Sequence, residues 1–172
     1  MESQAPEKNS KINSLGRIVY RSMSDIDIPA MVELGAAMHQ ESAFCDLDYD
    51  RDKCFSLGVT YVLNPEVNFG YCAYEGDDLV GMFMGYVSRY YFGNDLLAND
   101  ILWYVRKDKR GSMIGIRLLN AFRDWAKERG AREVCIGVST ALDLDRTHKL
   151  LSRMGLVHVG GTFKEAIGNV ET

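Results

Sequence analysis

Between Asp100 and Val138 the chain reads as strand, charged turn, helix, strand. DILWYV (Asp100–Val105) is almost continuously apolar, as expected of a strand buried on both faces near the centre of a sheet. RKDKRGSMIG (Arg106–Gly115) follows, and Ile114, Leu118, Phe122, Trp125 and Ala126 then mark one face of a helix that ends at Gly130. REVCIGV (Arg132–Val138) reads as the next strand. Two such strands joined through a helix lie parallel, because the crossover returns the chain to the same end of the sheet. An α/β sheet with helices packed on it is therefore the starting point.

Upstream, RIVYR (Arg17–Arg21) reads as a short strand, and Ser24 three residues ahead of Asp27 is a capping pattern before Met31, Leu34, Ala37 and Met38 on a first helix. Cys54, Leu57, Tyr61 and Val62 recur at helical spacing and stop before Asn64-Pro65, giving a second helix. Phe69–Tyr74 and Leu79–Val87 are β-rich runs joined by Glu75-Gly76-Asp77-Asp78, the chemistry of a hairpin with Gly76 at positive φ. Gly81 and Gly85 interrupt the second run and mark a bulge, the close approach of a ligand or plain local packing. Downstream, Thr140 and Asp143 repeat the capping pattern for a helix carrying Leu142, Leu150, Leu151 and Met154 and closed by Gly155. LVHVGGTFKEAI (Leu156–Ile167) reads as a last strand, so the expected order is β-α-α-β-β-β-α-β-α-β. At 172 residues this is one domain, residues 17–172, behind a polar tail, residues 1–16, that lacks the cationic start and apolar stretch of a secretory signal.

Composition excludes some functions. No run of eighteen apolar residues is present to span a bilayer, so no membrane partner is expected. A net charge of −4 gives no whole-domain attraction to nucleic acid, leaving only a local basic patch for that role, and leans towards a neutral or cationic partner. Cys45, Cys54, Cys72 and Cys135 show no Cys-x-x-Cys pairing and read as buried free thiols of a reducing, cytoplasmic protein. His148 and His158 have no partner at metal-ligand spacing, so no metal is expected, and Trp103 and Trp125 read as core.

The decapeptide carries the chemistry. A buried strand, a glycine-containing turn and the first turn of a helix bring free N–H groups and the helix dipole together, a geometry that suits a phosphate. Gly111 and Gly115 permit close approach, and Arg106, Lys107, Lys109 and Arg110 raise the local positive potential against the single Asp108. The P-loop pattern fails, because Ile116-Arg117 stands after Gly115 where lysine and a hydroxyl residue are needed, and the dinucleotide fingerprint lacks its third glycine and its acidic residue. Spacing alone leaves a plain basic surface turn equally open.

YVRKDKRGSMIGIRLLNAFRDWAKERGAREVCIGV resembles the acetyl-CoA motif of the GCN5-related N-acetyltransferase (GNAT) family, whose pyrophosphate loop commonly runs Val-x-Pro-x-x-Arg-Gly-x-Gly-x-Gly. Val105, Arg110, Gly111 and Gly115 fall on it in register, and HKLLSRMGL is similar to a later helix of the family that ends in Gly-Phe. The resemblance covers residues 17–165. Lys107 stands in place of the proline, Met113 of the middle glycine and Leu151 of a tyrosine that often protonates the departing thiolate; the usual asparagine is missing near Leu144.

The resemblance implies a mixed, mostly antiparallel central β-sheet flanked by helices, with acetyl-CoA as co-substrate wedged between two splayed strands and no metal. It implies direct transfer of the acetyl group to a primary amine, whether a small amine, a protein lysine or an N-terminus. Tyr104, Val105, Arg110, Gly111, Ser112, Met113, Ile114 and Gly115 are the implied cofactor residues, with an oxyanion-stabilising N–H near Tyr104 or Val105. Asp100, at the expected start of the cofactor strand, is the first candidate for general base. Glu41 is the second, with His39 beside it in MHQES after the first helix, and Tyr90 and Tyr91 of SRYYFGND are candidate walls of the acceptor site. Each of these also suits an ordinary role: a turn aspartate, a solvated helix end, aromatic cover for a sheet edge. Two further classes stay in view, a CoA-binding module without turnover and an enzyme modifying an amino group on nucleic acid, and self-association as a homodimer stays open.

Overall fold

The computed structural model describes residues 16–165 and 167, so the expected tail lies outside the described residues except for Gly16. Strands β1 (Ile18–Ser22), β2 (Asn68–Glu75), β3 (Asp78–Arg89), β4 (Leu96–Val105) and β5 (Glu133–Cys135) form one sheet in chain order. β1 to β4 pair antiparallel, while β5 is parallel to β4 because α3 (Ile114–Glu128) carries the chain back between them. α1 (Ile28–Glu41) and α2 (Arg51–Leu63) pack on one face through Ile28, Met31, Leu34 and Tyr61, which meet Met82, Met84 and Tyr104 of the sheet. α3 covers the other face with Ile114, Leu118 and Phe122 against Val80, Phe83 and Ala98, and Leu151 of α4 (Leu144–Arg153) joins that core.

Local chemistry sets these elements. The amide and hydroxyl of Ser24 both donate to Asp27 at 2.8 Å, closing a capping box ahead of α1. The buried Asp27 carboxylate also accepts two bonds from Arg21, at 2.5 and 2.6 Å, and one from the Tyr74 hydroxyl at 2.6 Å, which locks β1 and β2 to the start of α1. Asp50 caps α2 by accepting from the amides of Asp52 and Lys53 at 3.0 Å each. Gly76, at φ +60°, turns the β2–β3 hairpin as expected.

Gly81 and Gly85 set how closely α3 approaches the sheet. A Cβ at Gly81 would meet Ile114 at 2.9 Å, and one at Gly85 would meet the Phe122 ring at 2.5 Å and the Asn99 carbonyl at 2.8 Å. Local packing and a bulge, two of the readings open in the sequence, are both realised at Gly85. Met84 pairs with Leu102 and Gly85 with Asp100, so Ile101 is the extra residue of β4.

Several elements depart from expectation. β4 begins at Leu96, which places Asp100 within the strand rather than at its start. The segment expected to be buried on both faces has only Tyr104 fully buried and Ile101 49% exposed, because β5 stops after Cys135 and leaves its flank uncovered. Described residues of Leu156–Ile167 form no strand: Val157 and Val159 are exposed, and β-propensity without cross-strand packing does not make a strand. Ala166 in that segment lies outside the described residues. Leu57 is exposed, and α2 buries Gly58 and Tyr61 in its place. Thr140 forms no cap; Asp143 occupies the N-cap position at φ +45° with no side-chain bond. The four cysteines are free, but only Cys72 is buried, and Cys45 and Cys135 are exposed.

Candidate functional site

The site begins where the β4–β5 ladder stops. The parallel pairing runs from Leu97 with Glu133 to Asn99 with Cys135, and β4 then continues from Asp100 to Val105 with no described strand on that side. The Arg106 amide donates to the Val80 carbonyl of β3 at 2.9 Å. Alternation along an antiparallel strand therefore turns the main chain of Tyr104 towards β3 and that of Trp103 and Val105 towards the open side. The Val105 carbonyl there accepts from Arg110 Nε at 3.0 Å, which leaves the N–H groups of Trp103 and Val105 as donors facing the gap, Val105 being the one nearest the loop.

At the end of β4 the chain makes one 3-10 turn, Lys107–Lys109, and Gly111 takes φ +92°, a left-handed conformation that glycine adopts without strain. Ser112 Oγ donates to the Lys109 carbonyl at 2.7 Å and accepts from the Ile114 amide at 3.4 Å, bracing the loop. Met113 precedes α3 at φ −76°, ψ −1°, with its side chain 56% exposed. Any residue adopts that conformation, so methionine replaces the family's glycine without backbone cost. The first amide of α3 with a backbone acceptor is that of Arg117, bonded to the Met113 carbonyl at 3.0 Å, so Gly115 and Ile116 present N–H groups at the positive end of the helix dipole.

The cations of the decapeptide are mostly committed elsewhere, contrary to expectation. Arg106 bonds Asp108 at 2.7 and 3.0 Å and lies 3.8 Å from Asp78, Lys109 pairs with Glu75, and Arg110 pairs with Glu41. Among the described residues Lys107 alone of the four has no ion pair. A different cation stands at the loop: a Cβ on Gly111 would lie 2.7 Å from a guanidinium nitrogen of Arg146. Sequence reasoning missed Arg146 because it belongs to α4, and no spacing in the chain links it to Gly111.

Asp100 sits at the mouth of the gap. Its Oδ1 accepts from the Gly137 amide at 2.7 Å, just past the end of β5. Burial pushes its pKa up to about 6, against the opposing pull of that amide. Glu41 lies on the other side of the loop, accepting from the Tyr104 hydroxyl at 2.8 Å and from Arg110, whose guanidinium is 5.3 Å from the Tyr104 ring centre. The stretch after α1 is tied to the stretch after β5 by the Ala43 amide, which donates to the Thr140 carbonyl at 2.8 Å.

The remaining candidates are scattered. His39 packs on Tyr49, 5.2 Å between ring centres, and its Nε2 is shielded with no partner among the described residues. Tyr90 bonds Glu133 at the Leu96 end of β4, and Tyr91 is 98% exposed. No hydrogen bond joins either tyrosine or the His39 ring to Asp100 or Glu41 among the described residues. Leu151 is buried in the α3 core, so its position presents nothing to the gap. No group of three or more histidine, cysteine or acidic residues is placed to hold a metal ion among the described residues. No helix of the described residues is long and apolar enough to cross a membrane.

A mostly antiparallel sheet that opens beside an amide-lined helix start defines a domain built to hold an extended, anion-bearing ligand across its strands. The acetyltransferase (GNAT) family model matches residues 31–156, and the chain belongs to that family. No curated protein matches it in sequence. Among solved structures it is similar to a predicted acetyltransferase with acetyl-CoA from Clostridium acetobutylicum, at 15% identity and a TM-score of 0.72, covering 87% of this chain and 96% of that one. A ribosomal-protein-alanine N-acetyltransferase from Brucella melitensis is similar at 16% identity and a TM-score of 0.65, covering 88% and 100%. An aminoglycoside acetyltransferase from an uncultured soil sample, in complex with sisomicin, is similar at 18% and 0.64, covering 88% and 97%. At these identities the likeness is one of fold.

Proposed function

We propose that this protein is an acetyl-CoA-dependent N-acetyltransferase that passes the acetyl group directly to a primary amine. One arrangement carries the reading: the open edge of β4, the amides around Gly111 at the start of α3, and the Asp100 carboxyl at the gap lie along one line of the sheet. Acetyl-CoA supplies a thioester, so the amine nitrogen bonds the carbonyl carbon as the carbon–sulfur bond breaks and the sulfur leaves as thiolate. Asp100, with a pKa pushed up to about 6, is mostly ionised at pH 7 and accepts the ammonium proton directly or through water. The Val105 N–H is the donor for the developing oxyanion. Position 151 offers no phenol, and the CoA thiolate departs without a proton from that residue.

The acceptor is a cationic amine. The stretch between α1 and α2 carries Asp46, Asp48 and Asp50, the first two exposed, and the whole chain is acidic, which favours an acceptor with further positive charge over nucleic acid. The free thiols fit a cytoplasmic setting, and residues 17–172 act as the single catalytic domain behind a short tail.

The test is thiol release from acetyl-CoA over a panel of polyamines, amino sugars, lysine peptides and peptides with free N-termini. Release above the hydrolysis background with any one of them supports transfer. Binding of CoA without release on any amine favours a non-catalytic module, and no binding of CoA at millimolar concentration overturns the cofactor assignment.

A further inference from the structure

The cations nearest the phosphate-binding amides are not equally free. Arg106, Lys109 and Arg110 each face a carboxylate, so the loop that looks strongly basic in sequence is close to neutral in the fold. Arg146 is different. It makes no hydrogen bond or ion pair with any described residue, and its guanidinium lies over Gly111, where a Cβ would come within 2.7 Å of it. The guanidinium of Arg110 stands on the same loop; burial disfavours its charge most, the nearby Asp143 carboxylate supports it, and Arg146 opposes it by a smaller amount. With Arg110 tied to Glu41, Arg146 is the guanidinium left beside the uncommitted backbone amides, open to an entering anion.

We propose that Arg146 of α4 is the side chain that pairs with the diphosphate of the acyl donor at Gly111. The inference rests on the acetyl-CoA reading above and assigns to a helix outside the motif the charge that Arg106, Lys109 and Arg110, each facing a carboxylate, do not supply. It also gives Gly111 a second reason to be glycine. Its positive φ admits no ordinary side chain, and the missing Cβ leaves room for the guanidinium to reach the amides. A charge-assisted bond to phosphate from an exposed arginine corresponds to about a tenfold or larger change in affinity.

Calorimetric titration with three probes, CoA, dephospho-CoA and pantetheine, separates the sources of the effect and needs no acceptor. Arg146→Gln should weaken CoA and dephospho-CoA alike by about tenfold or more, leave pantetheine unchanged, and be partly rescued by Arg146→Lys. Arg146 is exposed, so the variant's unliganded melting temperature should match the wild type and exclude misfolding as the cause. Unchanged CoA affinity in Arg146→Gln, with tight binding by the wild type, overturns the Arg146 assignment alone. A loss confined to CoA and absent with dephospho-CoA also overturns it, since the residue would then read the 3′-phosphate. Failure of the wild type to bind CoA removes the acyl-donor reading itself, a result distinct from either.

Discussion

Arg110 and Glu41, sixty-nine residues apart in the chain, form an ion pair beside the ring of Tyr104. The pair joins the end of the first helix to the loop after β4. It also commits the Glu41 carboxylate to Arg110 and the Tyr104 hydroxyl, and we propose on that ground that Glu41 positions the loop rather than acting as the base.

Glu41→Gln should therefore leave the acid limb of the pH–rate profile where it is. The variant should lose about 1–3 kcal/mol of stability, because the partly buried Arg110 charge loses its partner. Urea unfolding and a pH profile of the transfer reaction check the two halves. Disappearance of the limb in this variant would return Glu41 to the role of base.

Asp100→Asn should do the reverse. Rates of the wild type should fall as pH drops through about 6 and the carboxyl takes up its proton, and the variant should lack that limb and turn over about a hundredfold more slowly. A raised carboxyl pKa means the folded state holds the proton more tightly than the unfolded chain. That contribution to stability is complete below pH 3.8 and is lost as pH rises through about 6. At pH 7 the asparagine variant should accordingly melt higher than the wild type while working worse. A lower melting temperature would show that the ionised carboxylate is a structural asset.

Asp27 carries the opposite sign. Burial alone would raise its pKa, but the bonds from Arg21, Tyr74 and Ser24 outweigh it and hold the group at about 2. Its contribution is present above pH 3.8 and is lost as pH falls through about 2. Asp27→Asn should cost about 3 kcal/mol at neutral pH, as for other broken buried pairs, and should flatten the decline in stability between pH 4 and 2. Thermal melts of both proteins across that range measure it.

Gly85→Ala should cost about 1–3 kcal/mol, since the new methyl group meets both the Phe122 ring and the Asn99 carbonyl. The backbone cannot yield without disturbing the bulge at Ile101. Denaturant melts should show the loss. Its absence would mean that α3 can move away from the sheet, in which case cofactor affinity should fall.

The motif-bearing half of the chain was legible because it repeats local rules: an apolar run, glycines at a turn and a period of 3.6 between Ile114 and Ala126. Those signals place the glycine-containing turn and the helix after it where the structure has them. What stayed hidden depends on long-range geometry. The end of the β4–β5 pairing at Asn99 and Cys135 is a long-range feature that no periodicity records, and it leaves Asp100–Val105 with an open edge. The described residues of Leu156–Ile167 have the composition of a strand but join no ladder, because composition does not record cross-strand packing. The basic loop looked like a cluster of free charges because its carboxylate partners, Glu41, Glu75 and Asp78, come from other elements. Arg146 reaches Gly111 from a helix the motif does not include.

The unfinished pairing of β4 has a practical side. A row of unpaired main-chain groups receives any extended chain of suitable length, whether a pantetheine arm or a strand from a second molecule. Concentrated stocks without an acyl donor should thus be the ones that clump and scatter light, and added acetyl-CoA should act as a solubility agent as well as a substrate.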